Sequence, residues 1–195
     1  MSSVQRGRPR SEAARLAILT ATRDLVIERG FDGLTVTAIA ERAGTGVQTL
    51  YRWWPDKAAI VADCVLENVV DIDLITAPDT GDAAADLRVW IRDSYDRLAA
   101  PPASALFRAL AVVAAKDSRV SARLDEQLGA PLRSALTTLL TRGIAAGRVR
   151  STVDVDATAD VLLGAMMIAI VAMQQPSASR AEAIADVILG GLLAD

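Results

Sequence analysis

The stretch Gly30-Phe-Asp-Gly-Leu-Thr-Val-Thr-Ala-Ile-Ala-Glu-Arg-Ala-Gly44, continued by Thr45-Gly-Val-Gln-Thr-Leu-Tyr-Arg-Trp-Trp-Pro-Asp-Lys57, decides how this chain folds. Gly30 stops a preceding helix as the residue just past its end. Phe31-Asp32-Gly33-Leu34 is a short connection. Thr35 or Thr37 caps a second helix, in which Ile39, Ala40 and Ala43 face inward. Gly44-Thr45-Gly46 cannot comfortably continue that helix, because two glycines weaken it and permit positive φ. A third short helix is expected from about Val47 to Trp54, and Pro55 ends it. Asp56 can cap a fourth that starts near Lys57. Two short helices joined by a glycine-bearing turn have the layout of a helix-turn-helix.

Upstream, residues 1–10 form a polar arm carrying Arg6, Arg8 and Arg10 and are expected to be disordered in isolation. Ser11 can cap a first helix, in which Ala14, Ile18, Ala21 and Leu25 recur on one face. Downstream, the fourth helix runs through Ile60, Val61, Cys64 and Val65, as far as Ile75 at most. A loop at 77–81 follows. Further helices are expected at about 83–99, 103–116, 119–146, 155–174 and 179–194, with Pro101-Pro102 among the separators and a kink at Pro131. The chain of 195 residues is 52% hydrophobic, much of it alanine, and only 4% aromatic. An all-α fold of about nine helices follows: a basic arm (1–10), a helix-turn-helix domain (11–57) and a larger helical domain (58–195).

Composition removes several function classes. There is no histidine and one cysteine, Cys64. That argues against a typical zinc site and against Ser-His-Asp or Cys-His catalysis, so no metal, cofactor or catalytic residue is assigned. Cys64 reads as a small buried hydrophobe. The longest uncharged apolar run, Val161 to Met173, is much shorter than the ~20 residues of a membrane span, and no secretory signal is visible. A soluble, cytoplasmic protein is expected. Net charge is −3, but residues 1–57 hold nine basic and six acidic side chains, and the remainder holds twelve and eighteen. A head at +3 on a body at −6 suits a DNA-binding head.

The quoted stretch resembles the TetR family of regulators. The resemblance rests on Gly30-Phe31, Thr35, Ile39-Ala40, Ala43-Gly44, Thr49-Leu50-Tyr51, Trp53-Trp54 and Lys57, and it covers about residues 12–62. Two departures stand out. Thr45 and Gly46 replace a small hydrophobe followed by Ser, so Gly46 takes the cap position without a capping hydroxyl. Val47 and Gln48 replace a polar residue followed by Gly, which makes base preference unpredictable from relatives.

On the physical reading, Leu50 and Trp54 face the core, while Val47, Gln48, Thr49, Arg52 and Trp53 can face DNA. Gln48 can pair with adenine, and Arg52 can read guanine or grip phosphate. Val47 or the Thr49 methyl can touch a thymine methyl. By the resemblance, Tyr51, Trp53 and Lys57 are phosphate contacts. The alternatives are packing for Tyr51 and Trp53, a solvated charge for Arg52, and no base contact for Gln48. Thr35 and Thr37 can donate to phosphate. Arg6-Gly7-Arg8-Pro9-Arg10 resembles an AT-hook core suited to the minor groove, or else is a flexible tail adding non-specific affinity.

In the larger domain, Trp90, Tyr95, Leu98, Leu106, Phe107 and Leu110 can line an effector cavity, or simply pack. The resemblance is the main reason to expect a pocket there. Met166, Ile170 and Met173 recur at i, i+4, i+7, as do Ile184, Ile188 and Gly191. The resemblance implies that the last two helices build a homodimer interface, and the stripe read by itself also fits internal core. The expected function is a repressor released from a palindromic operator by a small apolar or amphipathic effector. Alternatives are an activator or corepressor-dependent regulator with the same head and, more remotely, an enzyme or a non-specific DNA-binding protein.

Overall fold

The computed structural model describes residues 8–69, 76–171 and 177–193. Among these, the helices are α1 (Arg8–Arg29), α2 (Val36–Arg42), α3 (Val47–Tyr51), α4 (Lys57–Val69), α5 (Ala83–Ala99), α6 (Pro101–Ala114), α7 (Ser118–Leu124), α8 (Ala130–Ala145), α9 (Val155–Val171) and α10 (Ala178–Leu192). A π turn at Asp125–Gly129 joins α7 to α8, so nine continuous helices result. The fold is all-α, and its one β-type pairing among the described residues is an isolated bridge between Val149 and Leu193. No single helix among the described residues is long and apolar enough to cross a membrane.

The chain divides into two compact units. One holds residues up to 69 together with 105–121, and the other holds 70–104 and 122–195. In the first unit α1 packs on α4 and α2, and α2 packs on α3. Ile18, Leu25, Ile39, Leu50, Ile60 and Val61 form its core. Helix α1 starts at Arg8, so Ser11 lies inside the helix instead of capping it. Pro9 suits that first turn, where an N–H would have no helical partner.

In the second unit α5 packs on α10 and α8, and α9 packs on α8. Gly143 permits the close approach of these elements: a Cβ there would lie 2.9 Å from the Ala83 methyl and 2.6 Å from a Val149 methyl. Arg88 on α5 ties to Asp186 (2.7 Å) and Glu182 on α10. The Arg150 N–H donates to the Leu192 carbonyl at 2.9 Å, which fixes the end of α10.

Pro101 and Pro102 separate helices as expected: α5 ends at Ala99, and the two prolines form the first turn of α6, which tolerates them. The other expectation about proline is corrected. The distortion expected at Pro131 lies just before it. There the Ala130 N–H donates five residues back to the Asp125 carbonyl, and the widened turn absorbs the missing proline donor.

Candidate nucleic-acid interface

The helix-turn-helix is built from local backbone chemistry. Thr35 is the cap of α2, its hydroxyl accepting the Ala38 N–H at 3.1 Å. Gly44 closes α2 at φ 65°, and the Thr45 N–H reaches back to the Ala40 carbonyl at 2.9 Å. Gly46 caps α3 with no side-chain bond. Both sequence alternatives for the α2 cap thus resolve onto Thr35, and Thr37 is an exposed residue in the first turn.

Helix α3 has five residues and one fully buried side chain, Leu50. Trp54 follows it into the core, its N–H donating to the Leu50 carbonyl at 3.0 Å. Gln48, Tyr51, Arg52 and Trp53 are exposed, and Val47 and Thr49 are half-buried. Arg52 makes no ion pair among the described residues. Arg42 and Arg23, by contrast, are committed to Glu28 and Asp24. Trp53 stands against Trp54 with ring centres 6.1 Å apart.

Lys57 sits differently from a free phosphate clamp. Its ammonium donates to the Phe31 carbonyl (3.2 Å) and the Leu34 carbonyl (3.0 Å), and it lies 4.4 Å from the centre of the Phe31 ring. Two of its three donors therefore secure the α1–α2 connection, and one is left for another acceptor.

Sequence reasoning missed the polar chain behind the recognition helix. The Trp54 indole N–H donates to an Asp63 carboxylate oxygen at 2.7 Å. That oxygen lies 3.9 Å from Arg15, which also pairs with Glu67 and, at 3.5 Å, with Glu12. The available signal was an inward tryptophan, which needs an acceptor when buried, and one carboxylate in the apolar run of α4. The Glu67 bond holds the Arg15 guanidinium pKa above its ordinary value. Cys64 is buried beside this chain, and desolvation pushes its thiol up to about 12.

Of the arm, Arg8 and Arg10 fall within α1, and Arg6 lies outside the described residues. Trp90, Tyr95 and Leu98 are buried along α5 in the second unit. Leu106, Phe107 and Leu110 are buried in the stretch of α6 assigned to the first. The Trp90 indole N–H finds no acceptor among the described residues. The Tyr95 hydroxyl reaches the Ala165 carbonyl at 3.4 Å. Met166 and Ile170 turn into the core of their own unit, Ile184 and Ile188 are half-buried, Gly191 is exposed, and Met173 lies outside the described residues. The exposed apolar strip of α9 is instead Val161, Ile168 and Val171 with Gly164 between them, and on α10 it centres on Val187.

A capped α2, a glycine turn and a short, outward-facing α3 define a helix-turn-helix transcriptional regulator. Residues 18–64 match the family described as bacterial regulatory proteins, tetR family, and residues 77–188 match the tetracyclin repressor-like C-terminal domain. The chain belongs to the TetR family. It is 33% identical over 160 residues to the HTH-type transcriptional regulator YdeS of Bacillus subtilis, covering 82% of this chain and 79% of that one. Among solved structures, the TetR family transcription regulator SCO0332 is 27% identical with a TM-score of 0.65, covering 93% of this chain and 99% of that one. The transcriptional regulator FadR of Bacillus subtilis, solved in complex with stearoyl-CoA, shares the fold at 18% identity and a TM-score of 0.71, over 90% and 98% of the two chains.

Proposed function

We propose that this regulator is a homodimeric repressor that leaves a palindromic operator when a small apolar or amphipathic effector binds its second unit. The observation that carries the reading is the outer face of α3, where Gln48 and Arg52 are exposed and make no ion pair among the described residues, while Leu50 and Trp54 are buried behind them. Such a helix enters the major groove with its polar face outward. Gln48 and Arg52 read base edges, the Thr49 and Val47 methyl groups offer apolar contact, and Tyr51, Trp53 and the third Lys57 donor meet phosphates.

Dimerisation supplies the second half-site. The α9 strip Val161, Ile168 and Val171 and the α10 residue Val187 are large apolar side chains in water, a feature that another surface covers in stable proteins. A two-fold axis through these helices makes the same strip serve both partners. Effector binding is supported by α5, where Trp90, Tyr95 and Leu98 are buried and the Trp90 donor is unpaired among the described residues. Buried donors ordinarily have partners, so an acceptor group on an otherwise apolar ligand suits that position. The effector shifts the dimer only by its different affinity for the two head spacings.

The test is selection of bound duplexes from a random DNA pool by the purified chain. Recovery of a palindrome whose half-sites are centred about one helical turn apart is the expected result. Recovery of no shared motif at physiological salt would overturn the operator reading. Reporter expression that falls on deletion of the gene would overturn repression in favour of activation.

A further inference from the structure

The five residues of α3 cannot hold their own orientation. Helices this short are unstable by themselves, and Gly46 supplies no capping side chain. What fixes the far end of α3 is Trp54, joined to it by the backbone bond to the Leu50 carbonyl at 3.0 Å. Trp54 is fixed in turn by its 2.7 Å bond to Asp63, midway along α4. Packing alone does not demand that bond, since the apolar ring contacts of a buried side chain need no hydrogen-bond acceptor. The indole N–H does demand an acceptor, and a carboxylate makes the bond charge-assisted and directional.

The carboxylate is itself held. Its side chain is only 17% exposed and lies 3.9 Å from Arg15 of α1, which in turn is clasped by Glu67 one turn further along α4. Lys57 meanwhile fixes the start of α4 to the Phe31 and Leu34 carbonyls. Helix α4 thus grips the α1–α2 connection at one end and the end of α3 further along.

We propose that Asp63 is a positioning residue for operator recognition: through Trp54 it sets the angle at which α3 presents Val47 to Trp53. The proposal rests on the operator reading above. It concerns the hydrogen bond and not the charge, so an acceptor without charge at position 63 preserves it.

The experiment uses the full chain with Asp63→Asn, Asp63→Leu and Trp54→Phe. Each is titrated against the duplex that the wild type selects and against a scrambled duplex of equal length and composition. The readout is the ratio of the two affinities. Partial unfolding lowers both in proportion and leaves the ratio unchanged, whereas a misdirected α3 lowers only the specific one. Loss of a hydrogen bond to a charged group corresponds to about tenfold or more, so Asp63→Leu and Trp54→Phe should cut the ratio by that factor. Asp63→Asn, whose amide oxygen accepts the same N–H, should stay within about threefold. Should Asp63→Leu fail to fold, Trp54→Phe and Asp63→Asn carry the test. A wild-type ratio in Trp54→Phe or in folded Asp63→Leu overturns the proposal, as does an Asp63→Asn ratio as low as that of Trp54→Phe. A wild type that selects no motif overturns the operator reading and the proposal with it, before any variant is made.

Discussion

Replacing Ile168 and Val187 together by glutamate separates the fold of the chain from its assembly. In the single chain these side chains are 62% and 76% exposed, so each glutamate sits in water, and folding stability should change by no more than about 0.5 kcal/mol. At a two-fold interface the account is different. Covering such a side chain completely is worth about 1–2 kcal/mol. Symmetry places each position twice, so the four side chains of a dimer contribute about 4–8 kcal/mol, and the glutamates add the cost of desolvating their carboxylates. At 1.4 kcal/mol per decade, the dimer dissociation constant should rise by at least about a thousandfold. Sedimentation velocity at micromolar protein should show a wild-type dimer and a variant monomer with unchanged far-UV circular dichroism. The variant should also lose affinity for the palindrome and retain affinity for a single half-site. A variant that remains dimeric, with a dissociation constant within tenfold of wild type, would refute the assignment of these strips to the interface.

Removing Arg6, Arg8 and Arg10 should weaken operator binding and flatten its dependence on salt, by about one unit of the log–log slope for each phosphate that is no longer neutralised. An unchanged slope in filter-binding titrations would exclude the arm from the complex. Cys64, with its thiol raised to about 12 by burial, should resist disulfide reagents at pH 8 in the folded protein and react promptly in guanidinium. Because the folded value lies above the ordinary one of 9.0, the neutral thiol favours the folded state at lower pH, and that contribution is lost as pH climbs from about 9 to 12. Gly143→Ala should destabilise the chain by about 1–3 kcal/mol through overpacking against Ala83 and Val149, offset in part by helix propensity. Thermal unfolding above the wild-type midpoint would show that the close approach relaxes freely.

The head was legible because its punctuation is chemical and local. Gly30 and Gly44 take positive φ of 68° and 65°, Thr35 caps, and Pro55 follows the end of the recognition segment, all as their residue types require. The second unit was legible only in the number and spacing of its helices. Helix α9 is apolar on nearly every side, so the pattern by itself does not say which strip turns inward. Met166 and Ile170 go to the core while Val161 and Ile168 face water, a choice made by the packing of α9 on α8. The role of Lys57 was hidden for a related reason. Its partners are backbone carbonyls more than twenty residues away, and backbone groups leave no mark in a sequence.

Because the orientation of α3 comes from outside α3, its residues divide into two sets with different expected phenotypes. The Gln48 and Arg52 side chains are exposed and make no hydrogen bond or ion pair among the described residues. Gln48→Ala and Arg52→Ala should therefore leave folding untouched. Each should relax the preference at one base position by about 1–3 kcal/mol, because a bidentate contact discriminates one base pair from the others. Leu50 and Trp54 read nothing and are buried. Substituting them should degrade discrimination at every position of the half-site together, since the whole helix turns. A selection experiment on each variant distinguishes the two patterns in the recovered motif: one blurred column against a uniformly blurred half-site. If Gln48→Ala blurred the whole half-site, or Trp54→Phe a single column, readout and orientation would not be separable in this head, and the division between the two sets would be wrong.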